Sequence, residues 1–156
     1  MAADRRASRV LVLDERDRVL LFRFRDPGRA LHHWATPGGG VEAGESYEQA
    51  AHRELSEELG LEKISLGPAI WDRVSEFNLL GTWTRASERF YLLSVWAEAL
   101  PTYEGHLAHE NVTGRAWWTV DELERTDQQI WPSRLATLVR SLLLDGPPAE
   151  PIPIGA

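Results

Sequence analysis

The stretch that most constrains this chain runs from Gly39 to Leu61: Gly39-Gly40-Val41-Glu42-Ala43-Gly44-Glu45-Ser46-Tyr47-Glu48-Gln49-Ala50-Ala51-His52-Arg53-Glu54-Leu55-Ser56-Glu57-Glu58-Leu59-Gly60-Leu61. The glycines of Pro37-Gly38-Gly39-Gly40 force an irregular backbone just ahead of it. Ser46 followed by Gln49 is a capping box, so a helix starts there. Glu45 and Glu48 stand near its positive end, where acids are favoured. Gly60 suits the left-handed residue that ends a helix. The spacing predicts a helix from Ser46 to Leu59, about four turns. Ala51, Leu55 and Leu59 recur at i, i+4, i+8 and form its buried stripe. Glu54, Glu57 and Glu58 share a neighbouring face. Like charges at this spacing repel by about a few tenths of a kcal/mol per pair, and only Arg53 is near enough in sequence to offset them. One reading is a solvated acidic face. The other is a site for a hard divalent cation such as Mg²⁺, which takes grouped carboxylate oxygens.

Gly39, Glu45 and the run Arg53-Glu54-Leu55-Ser56-Glu57-Glu58-Leu59-Gly60-Leu61 match every fixed position of G-x5-E-x7-R-E-U-x-E-E-x-G-U, with U a bulky aliphatic. The chain therefore resembles the Nudix hydrolase family, sharply over residues 34 to 61 and in general layout elsewhere. The resemblance implies an α/β fold, the Nudix α/β/α sandwich with a mixed β-sheet between helices. It implies a Mg²⁺-dependent hydrolase, with Mn²⁺ as a substitute ion, that cleaves the pyrophosphate link of a nucleoside diphosphate derivative. NTP or dNTP, ADP-ribose, a sugar nucleotide and a dinucleoside polyphosphate all fit. Glu57 and Glu58 are then metal ligands, Glu54 a ligand or the base that activates water, and the Gly38 carbonyl a further ligand. Arg53 orients Glu54, and Glu45 supports the site from the loop. Glu110 is similar to the extra acid that many relatives bring as ligand or base.

At 156 residues the expectation is one domain, residues 1–146, with a Pro-rich tail at 147–156. There is no cysteine, which excludes disulfides, cysteine–zinc sites and thiol catalysis. The longest apolar runs are too short to span a membrane, and no charged-then-apolar leader opens the chain, so a cytoplasmic protein is expected. A net charge of −7 disfavours long nucleic acid as a partner and leaves a small nucleotide-type substrate, drawn in by metal and local arginines. Monomer and homodimer are both open.

Residues 1–8 are polar and expected to be loose. Arg9 to Leu13 and Val19 to Arg25 read as a hairpin. Its second strand turns Leu20, Phe22 and Phe24 one way and Leu21, Arg23 and Arg25 the other. Arg23 and Arg25 are candidates for phosphate oxygens, against a plain solvated strand face. Asp26 to His33 is a loop. A strand is expected over Ala69 to Phe77, a loop over Asn78 to Ala86, and a doubly covered strand over Glu88 to Ala97. Leu100 to Gly114 reads as a long polar loop, Arg115 to Thr119 as a short strand. Val120 to Leu123 begins a helical turn, and Pro132 to Leu144 is an amphipathic helix with Pro132 at its first position.

Seven tryptophans are many for this length, and most should be structural. Trp34, Trp83 and Trp131, in or beside loops, are candidates for stacking on a base. Trp131-Pro132 is similar to a Trp-Pro-Asp-Asp segment of members that act on oxidised purine nucleotides. Ser133-Arg134 stands where the two acids would be, which argues against carrying that specificity over. Two rival readings share the fold. A non-catalytic nucleotide-binding or sensing domain would usually have an eroded motif, and here it is intact. An isopentenyl-diphosphate-type isomerase relies on a cysteine, and there is none.

Overall fold

Strand β1 (Ala3–Leu13) is the spine of a mixed sheet. The structure is a computed structural model, and it describes residues 3–25, 31–102 and 111–155. On one side β1 runs parallel to β6 (Thr82–Ser94), in register from Ala3↔Thr84 to Leu13↔Ser94. Its other edge is divided. The tip of the β1–β2 hairpin pairs Leu13 with Val19 of β2 (Val19–Arg25), and the earlier half pairs antiparallel with β4 (Gly38–Gly40), Arg9 opposite Gly38. That division brings the glycine run beside the middle of the spine. β3 (His32–Ala35) and β7 (Val112–Trp118) both pair with β2, β5 (Ala69–Leu79) with β6, and β8 (Gln129–Trp131) with β3. The hairpin tip is tied by Asp14, whose carboxylate accepts from the Arg16 and Arg18 amides at 2.9 and 2.8 Å.

Each sheet face buries its own core because successive side chains of a strand point to opposite faces. Val10, Val12, Leu20 and Phe22 meet Ala51, Leu55 and Leu59 of helix α1 (Tyr47–Leu59). Leu11, Leu13, Val19, Leu21, Trp71, Phe90 and Trp118 form the opposite core. It is closed by Leu123 of α2 (Val120–Arg125) and by Leu135, Val139 and Leu142 of α3 (Leu135–Asp145). The expected mixed sheet between helices is what the chain forms. Among the described residues no helix is long and apolar enough to cross a membrane.

Several boundaries differ from the sequence expectation. Residues 3–8 are not loose but form the first half of β1; their amides and carbonyls are taken by β6 and β4, partners distant in sequence. Asn78 to Ala86 is not a loop: β5 and β6 run on and turn tightly at Leu80-Gly81, both with positive φ. Val112–Trp118 extends the expected short strand into the supposed loop, because β2 supplies its ladder. α3 begins at Leu135 and not at Pro132, whose carbonyl instead accepts from the Leu135 amide at 3.1 Å. The Pro-rich tail contributes a strand. Ile152–Ile154 forms β9, parallel to Trp71–Arg73 on the outer edge of β5, where the missing amide of Pro153 is tolerated.

Candidate active site

Helix α1 is built as its caps require. The Gln49 amide donates to Ser46 Oγ at 3.0 Å, and the Ser46 amide donates to Gln49 Oε1 at 2.9 Å. Gly60 sits in the left-handed region and closes the helix onto the Leu55 and Ser56 carbonyls. The acidic face divides in three dimensions. Glu54 and Glu58, one helical turn apart, are 3% and 2% exposed, whereas Glu57 stands at the rim with its side chain 55% exposed.

Strand β4 lies directly on the two buried carboxylates. The Gly38 amide donates to Glu58 Oε1 at 2.9 Å. A Cβ on Gly39 would lie 2.3 Å from Glu54 Oε1, so only glycine permits this approach. Gly38 has φ +142, and a Cβ there would meet the Ser8 carbonyl at 2.1 Å. The glycine pair is thus a thin wall with the acids on one side and β1 on the other.

Arg53 ties the site together. Its Nε and Nη2 donate to the Glu45 carboxylate at 2.7 and 3.0 Å, Nη2 also to the Gly40 carbonyl at 2.8 Å, and Nη1 to Glu54 Oε1 at 2.9 Å. The bond from Arg53 holds Glu45 below the usual carboxylate range. Glu58 moves the other way. Burial, and then the charge of Glu54 beside it, push it up to about 9.

These residues fit a divalent cation. Among the described residues, no three His, Asp or Glu side chains already stand together at ligand spacing. Yet Glu58 Oε2 is buried without a hydrogen-bond partner, and two carboxylates are held together out of water. A buried oxygen of this kind, in an all-oxygen donor set, calls for a positive charge such as a hard cation supplies.

Beyond the glycine wall the sheet carries an open cleft of about 680 Å³, lined by Arg9, His33, Thr36, Arg73, Phe77, Glu88, Trp131 and Pro132 among others. A second hollow of about 620 Å³ adjoins it at Arg9, His33 and Ala35 and reaches Arg5 and Gly38 to Gly40. At the cleft floor the buried Glu88 accepts from Arg9 Nε at 2.8 Å and from Arg73 Nε at 2.8 Å, with Arg73 Nη2 on the same oxygen. Burial raises the Glu88 pKa, but the two guanidiniums outweigh it and hold the carboxyl below its ordinary value.

The other sequence candidates are dispersed. Trp34 is buried, donates from Nε1 to Gln128 Oε1 at 2.7 Å and stacks edge-on against Trp118. Arg23 lies over the Trp34 ring, 5.9 Å from its centre, and donates to Thr113 Oγ1 at 2.9 Å. Arg25 is at the exposed end of β2. Trp83 is half exposed near the β5–β6 turn, and Trp131 lines the cleft. Glu110 lies outside the described residues. Sequence reasoning missed Arg9, Arg73 and Glu88. The available signal was Arg5, Ala7 and Arg9 alternating on β1, with a lone acid at the start of an otherwise apolar strand.

Comparison with known proteins agrees with this geometry. A Mycobacterium tuberculosis protein with the provisional name 8-oxo-dGTP diphosphatase 2 is 47% identical over 76 residues, 48% of this chain and 52% of its own length. The match thus spans about half of that relative. Nucleoside triphosphatase NudI of Enterobacter sp. (strain 638) is 30% identical over 104 residues, 65% of this chain and 72% of its own. The solved MutT protein of Methanosarcina mazei Go1 shares the fold, with a TM-score of 0.65 at 18% identity, over 92% of this chain and 96% of its own. A family description, the NUDIX domain, matches residues 3–139. With the motif complete and seated on a capped helix against a glycine strand, the chain belongs to the NUDIX domain family.

Proposed function

We propose that this chain is a divalent-cation-dependent hydrolase of the pyrophosphate link in a nucleoside diphosphate derivative, with Mg²⁺ as the natural ion and Mn²⁺ as a substitute. The observation that carries the reading is the buried Glu54–Glu58 pair against β4, whose glycines line an open hollow, with Glu58 Oε2 given no hydrogen-bond donor. A structural acid pair would be expected to find hydrogen-bond donors for all its oxygens; without metal this one keeps a proton on Glu58, which a bound cation would displace.

Glu54, Glu57, Glu58 and the Gly38 carbonyl would hold the ion. When bound, such an ion neutralises phosphate oxygens and lowers the pKa of its water. The chain's own residues do the rest. Arg53 fixes the Glu54 carboxylate by a charge-assisted bond, so that it stands ready as ligand or as acceptor of the water's proton. Glu45 fixes Arg53 in turn. Gly39, with no side chain, lies against Glu54 and also lines the hollow beside the cleft. Phe77, Trp131 and Pro132 supply apolar surface on which a nucleobase can stack. Glu110 is the candidate second base, Arg23 and Arg25 are candidates for outlying phosphate contacts, and Trp34 and Trp83 are further stacking candidates. The names of the relatives support nucleoside triphosphates, oxidised ones included, as the first compounds to try.

The test is a panel of dNTPs, 8-oxo-dGTP, ADP-ribose, sugar nucleotides and dinucleoside polyphosphates, incubated with and without Mg²⁺ and resolved by chromatography. Cleavage of one class only with Mg²⁺, reduced at least about 100-fold in Glu57→Gln and Glu58→Gln, is the expected result. Tight binding of one nucleotide without cleavage, unaffected by either variant, would favour the sensor reading instead.

A further inference from the structure

The arginine best placed to receive the substrate's phosphates is one that neither the motif nor the hairpin pattern singles out. Arg9 lies where the cleft hollows meet. Its stem runs along Gly38, close enough that a Cβ on that glycine would lie 2.9 Å from Arg9 Cδ. Its position is therefore tied to the same glycine whose amide holds Glu58.

The Arg9 guanidinium is fixed at one end only. Its Nε donates to Glu88 Oε2 at 2.8 Å, and among the described residues neither terminal nitrogen bonds to protein. Neither is a buried orphan either, and the side chain is 26% exposed, so the terminal nitrogens face the open cleft. Glu88 is itself immobilised, 8% exposed and gripped on its other oxygen by Arg73. The cleft's charged lining balances, Arg9 and Arg73 against Glu88 and the exposed Glu76, whereas the adjoining hollow has Arg5 and Arg9 and no acid among its lining residues, in a chain whose net charge is −7. A planar fork with one edge pinned and the other open matches two non-bridging oxygens of a phosphate. Arg5, four residues earlier on the same strand, lines the continuing hollow.

We propose that Arg9 is a substrate-binding residue that takes the non-bridging oxygens of the substrate's phosphate chain as it leaves the acid site. Glu88 is its positioning residue, and Arg73 holds Glu88. The proposal rests on the hydrolase reading for the identity of the anion. Its test reads binding as well as turnover, so that the two can fail separately.

Steady-state hydrolysis of the nucleotide found by the panel is compared for Arg9→Gln, Arg9→Lys, Glu88→Gln and Arg140→Gln. Calorimetric titration of each with ADP and Mg²⁺ runs alongside. Arg140 pairs with Glu124 on the helical side and gives the same change of net charge away from the cleft. Arg9→Gln should raise KM and the ADP Kd by about 10- to 100-fold, with kcat within about threefold. Arg9→Lys keeps a charge beside Glu88 and so guards against simple misfolding. It should recover part of the loss but not all, because the fork is gone. Glu88→Gln should raise KM by about 3- to 10-fold, with its defect absorbed when Arg9 is already glutamine. Arg140→Gln should change nothing. Equal KM and Kd for wild type, Arg9→Lys and Arg9→Gln would overturn the proposal, as would a loss confined to kcat. If nothing is hydrolysed but ADP binding still weakens in Arg9→Gln, the hydrolase reading falls and the anion fork stands. If wild type neither hydrolyses the panel nor binds ADP, both fall.

Discussion

Replacing Glu58 with glutamine should make the metal-free protein more stable at alkaline pH and leave it unimproved in acid. The residue is 2% exposed, accepts from the Gly38 amide, and has its other oxygen unpartnered. Burial and the neighbouring Glu54 push its pKa up to about 9. Unfolded, it would titrate in the ordinary carboxylate range. Between these values the folded state holds a proton that the unfolded state has lost. Folding stability is therefore full below the ordinary range and declines as pH rises towards the folded value, by about 1.4 kcal/mol per pH unit. By pH 7 the decline is on the order of 3 kcal/mol for this one group. Glutamine keeps the acceptor for the Gly38 amide, carries no charge, and escapes the decline. Urea unfolding in EDTA at pH 5 and pH 8 reads this directly. The variant's advantage should grow by roughly 4 kcal/mol between the two. Added Mg²⁺ should stabilise wild type and not the variant, since a ligand that binds only the folded state raises its stability. An advantage independent of pH, or one that shrinks as pH rises, would refute the reasoning.

Two further outcomes test parts of the fold on which the site depends. Asp14→Ala removes a carboxylate that burial pushes up but that bonds from the Arg18 and Arg16 amides and the Arg18 side chain bring below its usual range. It should cost about 1–3 kcal/mol at pH 7, with the penalty shrinking as pH falls below the ordinary carboxylate range and wild type loses the same charge; urea midpoints at pH 7 and pH 3 check it. Deleting residues 147–156 uncovers the β5 edge at Trp71–Arg73, so Tm should fall and the protein should self-associate on light scattering, whereas an unchanged monodisperse profile would mean that β9 is dispensable.

How much of this molecule is legible in its sequence depends on how local each interaction is. Helix α1, its capping box, its left-handed end and the order of its acids could be read directly, because a helix bonds residues close in sequence and its faces follow from spacing. The mixed sheet between helices was legible for a similar reason: period-two and helical stripes alternate along the chain. Strand partners are another matter. Neither Ala3 to Ser8 nor Ile152–Ile154 carries an apolar run long enough to mark a strand, since their ladders are completed by residues far along the chain. Alternation on β2 showed two faces but not which one meets the cleft, and Arg23 turned out to lie on Trp34.

The same division runs through the site. The spacing of Glu54, Glu57 and Glu58 placed three acids on one helix face, and that much was settled before folding. Which of them is taken out of water was decided by β4, which lies across Glu54 and Glu58 and leaves Glu57 at the rim. The contact of Arg9 with Glu88 joins residues 79 apart, and that of Glu88 with Arg73 spans an antiparallel pair. Charge and spacing are properties of a chain segment. Burial and apposition belong to the packed sheet, which alone takes Glu54 and Glu58 out of water and brings Arg9 and Arg73 onto Glu88.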